Sequence, residues 1–104
     1  MNYSNRIQRL QAVLRRRKVD AMLITQPENR RYLSGYTGVD HGIGETSGVL
    51  LIPAKGNISL LTDFRYKIQA ELDVNWAKVL LYPRGLLKLL PQLLGDLGIK
   101  TLAF

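Results

Sequence analysis

The spacing of hydrophobic positions changes several times along this chain, and each change marks a predicted element. Between residues 4 and 18, Ile7, Leu10 and Leu14 recur at helical intervals while Arg9 and Arg16 lie opposite, which predicts an amphipathic helix with Ser4 as its N-cap. The run VDAMLI at 19–24 is nearly continuous in apolar character, the pattern of a strand covered on both faces. Pro27 suits the first turn of a helix, where its missing N–H leaves nothing unpaired; that helix carries Tyr32 and Leu33 and stops at Gly35.

From Thr37 to Ser47 the pattern breaks. Gly38, Gly42 and Gly44, with Gly48 just beyond, leave the backbone too free for a helix or a central strand, so this segment is predicted to be a loop. The β-type runs GVLLIP (48–53) and NISLLTD (57–63) flank AKG and predict a hairpin. Asp63 can cap a helix over 64–73, with Phe64, Ile68 and Leu72 on one stripe and Tyr66 and Ala70 beside it. WAKVLLY (76–82) reads as another strand. The leucine-rich stretch 83–98 has helical spacing but contains Pro91. An interior proline removes a backbone bond at a cost of roughly 3 kcal/mol, so a break is expected near Leu90, with Pro91 opening the final helix. IKTLAF (99–104) reads as the start of one more strand.

This order predicts an α/β fold: a three-layer domain with a mixed, mostly parallel sheet, one hairpin, and helices on both faces. Strands joined by helices are expected to pair in parallel with right-handed crossovers.

Composition narrows the picture. A chain of 104 residues, 46% hydrophobic and 22% charged, has the make-up of an ordinary globular domain with one core. No apolar run approaches the roughly 18 residues a membrane span needs, and MNYSNRIQRL lacks the apolar region of a secretory signal. With no cysteine, disulfides, thiolate metal sites and a cysteine nucleophile are excluded, in keeping with a reducing compartment; a cytoplasmic location with no membrane partner is expected. The net charge of +7 includes the run RRRK at 15–18. It reads as a solvated helix face whose cations oppose the negative end of the helix dipole, or as a nucleic-acid patch. No aromatic residue is interleaved in the run, which disfavours nucleic acid as a partner.

Candidate chemistry is sparse. One histidine rules out multi-histidine zinc sites, and the carboxylates show neither HExxH-like nor DxDxDG-like spacing. The glycines at 38, 42 and 44 lack the phosphate-loop pattern, and Ser34 and Ser47 sit in no nucleophile elbow. No catalytic residue and no metal or other cofactor site is assigned within these residues. Asp40, His41 and Glu45 nevertheless place titratable groups on a loop between rigid elements, where binding residues concentrate. The plainer alternative is a turn begun by Asp40 with a solvated His41. Both stay open on the residues alone.

Three motifs occur in order: RIQRLQAVLRRRKVDAMLITQPENRRYLSGYTG, then GVLLIP, then LLTDFRY. Together, from Arg6 to Tyr66, they resemble the N-terminal domain of the creatinase–prolidase–aminopeptidase P family, the M24-type Xaa-Pro peptidases; residues 76–104 match in pattern only. The resemblance implies a creatinase N-terminal-like domain over 1–104, a piece of a longer chain that ends before a metal-binding C-terminal domain. That domain would hold a divalent metal pair (Mn, Co or Zn) on Asp, His and Glu ligands and hydrolyse X–Pro bonds or, in a creatinase, creatine.

For these residues the resemblance implies a non-catalytic half that supports dimer assembly and substrate access. The partners it implies are a second copy, the catalytic domain of the same chain, and a peptide substrate shared across the dimer. It assigns Tyr36, Asp40, His41 and Glu45 to a loop presented to substrate or to the other subunit. Asn29, Tyr32 and Gly35 would fix the short helix and its exit. In TDFRY, Asp63 is expected as a helix cap and Tyr66 as a packing residue with a polar tip, with Arg65 between them. A stand-alone binding module for peptide or nucleic acid is the alternative from another class.

Overall fold

In the computed structural model, residues 3–38, 48–82 and 86–104 are described, with the backbone alone for Phe64, Leu86 and Leu87. The elements are α1 (Tyr3–Arg16), β1 (Ala21–Ile24), α2 (Pro27–Ser34), β2 (Val49–Pro53), β3 (Ser59–Thr62), α3 (Lys67–Asp73, after a 3-10 turn at Phe64–Tyr66), β4 (Lys78–Leu81), α4 (Leu86–Asp96) and β5 (Leu102–Ala103). The strands form one five-stranded sheet in the order β4-β3-β2-β1-β5.

The sheet is mixed, as the element order predicts. β1–β2 and β2–β3 are antiparallel, whereas β3–β4 and β1–β5 are parallel. Pairing of β1 with β2 departs from the expectation for strands joined through a helix. The register explains it: Ile24 at the end of β1 faces Leu50 at the start of β2, so the chain re-enters the sheet at the end where it left. α2 is therefore no crossover helix; it packs on α1, where Arg6 Nη1 donates to the Tyr32 carbonyl at 2.6 Å. Hence β1, β3, β4 and β5 all point one way, and their C-terminal ends share one end of the sheet with the start of β2.

Strand alternation divides the core into two layers. Ile24, Leu50, Ile52 and Leu60 point to one face, where Ile7 and Leu14 of α1, Leu33 of α2 and Ala70 of α3 cover them. Ala21, Leu23, Val49, Leu51 and Leu61 point to the other face, where Leu89, Leu90, Leu93 and Leu94 of α4 pack. Burying one such leucine stabilises by about 1.5–3 kcal/mol, which is why the two apolar faces of this sheet dictate a helix layer on each side.

Helix ends follow local chemistry. α1 stops where Lys18 takes a left-handed φ of 57°, the Lys18 N–H bonding to the Arg15 carbonyl and Val19 N–H to that of Leu14. Ser4 lies inside the first turn of α1 rather than capping it. The same closure ends α4, with Gly98 at φ 69° and Ile99 N–H on the Leu94 carbonyl. α4 does not break at Leu90: Pro91 lies inside a continuous helix. Its ring falls on the exposed side, while the leucines on either side stay against the sheet, and that burial outweighs one missing hydrogen bond.

The stripe expected on the third helix is also revised. Ile68 and Leu72 are 75% and 74% exposed, and Ala70 and Val74 face the core instead. The 3-10 turn at 64–66 winds more tightly than an α-helix and so rotates the phase of everything after it. The Phe64 side chain lies outside the described residues.

Candidate functional site

The strongest polar construction in the fold is built by α2. Its N-terminal Pro27 and the left-handed Gly35 (φ 81°), whose N–H bonds to the Arg31 carbonyl, fix the helix at both ends. That phase turns Arg30, Leu33 and Ser34 inward. Arg30 is 0% exposed, and its guanidinium lies 5.2 Å from the centroid of the Tyr36 ring. Its Nη2 donates to the Gly38 carbonyl at 2.9 Å and its Nη1 to the Gly48 carbonyl. Acceptors placed on its donors in this way offset part of the cost of burying a cation. The effect is a clamp: one guanidinium holds together the two glycines that bracket residues 39–47.

Crowding favours glycine at both positions. A Cβ on Gly38 would fall 2.4 Å from the Tyr36 ring, and one on Gly48 would fall 3.0 Å from the Leu61 carbonyl oxygen. Thr37 is tied to α3 as well. Its N–H and Oγ1 both donate to Asp73 Oδ2, at 2.9 and 2.7 Å, and Gln69 Nε2 donates to Thr37 Oγ1 at 2.6 Å. These anchors sit at the end of the sheet where β1, β3, β4 and β5 finish, the end at which open α/β sheets bind ligands.

The residues singled out in the sequence fall into separate groups. Asp40, His41 and Glu45 lie outside the described residues. Tyr36, expected on the presented loop, is 1% exposed and belongs to the core, where Arg30 and Gly38 pack against its ring. Asn29 donates through Nδ2 to Gln26 Oε1, a contact at the start of α2. Tyr32 is 58% exposed, with the Arg6 guanidinium 4.0 Å above its ring. Gly35 also lets α1 approach, since a Cβ there would sit 2.8 Å from the Tyr3 ring.

Asp63 accepts the Arg65 N–H at 2.8 Å and the Arg65 guanidinium at 2.7 Å through Nη2. That side-chain bond is the main reason its carboxyl is held below the usual carboxylate range. Arg65 in turn lies 5.4 Å from the Tyr66 ring, and Tyr66 packs half-buried on the core. This set builds a helix start.

Arg30 escaped the sequence reading, where NRRY looks uniformly polar. The available signal was its spacing of three and four residues from Leu33 and Ser34, which puts it on the inner face of a helix already fixed by Pro27 and Gly35. Among the described residues no group of three or more His, Asp or Glu side chains could hold a metal ion. Among them, too, no helix is long and apolar enough to cross a membrane.

A five-stranded mixed sheet in the order β4-β3-β2-β1-β5, with helices packed on both faces, defines an α/β domain. Residues 6–104 match the Creatinase/Prolidase N-terminal domain family, and the chain belongs to that family. It is 31% identical over 86 residues to the uncharacterized peptidase YqhT of Bacillus subtilis (strain 168), covering 83% of this chain and 22% of YqhT. The Xaa-Pro dipeptidase from Bacillus anthracis superposes with a TM-score of 0.83 at 29% identity, over 97% of this chain and 26% of that one. The N-terminal domain of the cytoplasmic peptidase PepQ from Mycobacterium tuberculosis H37Rv gives 0.78 at 32% identity, over 94% of this chain and 70% of that structure. The chain thus spans about a quarter of the length of the dipeptidase and less of YqhT.

Proposed function

We propose that this chain is the non-catalytic N-terminal domain of a cytoplasmic Xaa-Pro metallopeptidase of the aminopeptidase P or prolidase type. Family membership over residues 6–104 carries this reading, supported by the similarity to an Xaa-Pro dipeptidase across nearly the whole chain. The divalent metal pair belongs to a C-terminal catalytic domain. The described residues do not suit it, since their carboxylates are dispersed and Asp20, Asp63 and Asp73 are each engaged by backbone or side-chain donors. What these residues contribute is position: assembly of a homodimer, and substrate access through the segment that Arg30 pins at Gly38 and Gly48.

In this reading Asp40, His41 and Glu45 meet the peptide substrate or the partner subunit, where a donor or cation can hold a peptide terminus. Replacing His41 by Ala in the peptidase is expected to raise KM or change substrate preference, with metal content and folding stability unchanged. Equal kinetic constants for variant and wild type over several X–Pro peptides would reduce the segment to a connector.

A further inference from the structure

At the opposite end of the sheet, where β1, β3 and β4 begin, an open cleft of about 810 Å³ lies between the hairpin turn, the end of α1 and the end of α4. Among the described residues four cations line it: Arg15, Lys18, Lys55 and Lys78. They stand on pinned backbone. Arg15 Nη1 donates to the Ala54 carbonyl at 2.7 Å, and Gln11 Nε2 holds the turn that carries Lys55 by donating to the Pro53 and Gly56 carbonyls, each at 2.9 Å. Lys18 occupies the left-handed end of α1, and Lys78 opens β4.

Asp20 is the single carboxylate in the lining among the described residues, and it is turned to the backbone: Oδ2 accepts the N–H groups of Lys100 and Thr101, at 2.8 and 3.1 Å. Beneath the cations the wall is apolar, with Leu80, Leu93 and Ile99.

We propose that this cleft binds a small organic polyanion, an apolar or aromatic body carrying two or more phosphate charges. The volume lies within the roughly 300–1,000 Å³ of small-molecule sites. Lysine and arginine together provide point charges and a planar fork for phosphate oxygens, while the apolar wall takes the body. A concave cluster of cations, rather than a stripe along one face, argues for a compact ligand over a nucleic-acid duplex. Such a site is separate from the peptidase reading, because it lies at the far end of the sheet from the Arg30 clamp.

The test is calorimetric titration of the protein with ATP as the probe, alongside inorganic triphosphate and a duplex DNA. ATP is expected to saturate one site. Lys55→Glu and Lys78→Glu should each weaken it by about tenfold or more. Arg31→Glu and Lys88→Glu serve as controls, since they make the same charge change outside the cleft and should cost less than about twofold. Lys55→Met, which removes charge without reversing it, should act in the same direction by about threefold, and thermal unfolding confirms that each variant is folded. Four results would each overturn the proposal: no saturable ATP binding, equal losses in cleft and control variants, triphosphate binding as tight as ATP, or displacement of ATP by the duplex through Lys55 and Lys78.

Discussion

Arg30 does by itself what loops usually need several residues to do. Its charge is buried, and both carbonyls it satisfies, those of Gly38 and Gly48, are buried with it. Replacing it by Met would leave both carbonyls without their donor, each at a cost of about 1–3 kcal/mol, so Arg30→Met should destabilise by about 3 kcal/mol or more in urea unfolding. A loss below about 1 kcal/mol would show that the clamp is dispensable. Lys18 supplies the reverse case. A non-glycine residue at φ 57° is strained, and Lys18→Gly should stabilise by about 0.5–1 kcal/mol, read as a higher urea midpoint with unchanged slope.

Asp63 and Asp20 set the acid side of stability. Both carboxyls are held below their usual range, Asp63 chiefly by the Arg65 side chain and Asp20 by the backbone N–H groups of Lys100 and Thr101. Because the folded pKa lies below the unfolded one, the stabilisation is fully present above the unfolded value of about 4. It is lost as pH falls through the folded value. Stability should therefore drop on acidification below about pH 4, and Asp20→Asn with Arg65→Met should flatten that drop. An unchanged acid limb in the double variant would contradict the assignment.

At the scale of elements, the strands are legible in the sequence because their apolar runs are short, β-branched in part, and bounded by Gly, Pro or Asp. Leu51 lies on the central strand of the sheet and is buried more completely than Leu23. Leu51→Ala should cost about 2–5 kcal/mol and more than Leu23→Ala; the reverse order would put the centre of the core elsewhere. What the pattern could not show is phase. Periodicity placed Ile68 and Leu72 on the buried stripe, but a 3-10 turn of three residues ahead of α3 was enough to turn them out. Pro91 misleads for a related reason: propensity is local, whereas the leucines that hold α4 across it belong to the sheet packing. The direction of β2 was illegible as well, since no local signal tells a helix that crosses a sheet from one that packs beside it.

At the scale of the molecule, the ordered motifs between Arg6 and Tyr66 made the family legible, while the candidate site was legible only in part. Gly38 and Gly48 stand out as flexible residues, yet their role is to let Tyr36 and the Leu61 carbonyl come close, and the cation that joins them is hidden in a polar run. Contacts made by a buried side chain across 8 and 18 residues leave no periodic trace in a sequence. The decisive measurement is hydrolysis of X–Pro peptides, with matched X–Ala peptides and creatine as controls, by the protein that carries these residues together with the catalytic domain proposed above. Cleavage of X–Pro peptides is expected to stop when a chelator removes the metal and to return when Mn, Co or Zn is restored, with residues 1–104 alone inactive throughout. Failure of the metal-loaded protein to cleave any X–Pro peptide, or cleavage by residues 1–104 alone, would contradict the assignment to this half of a metallopeptidase.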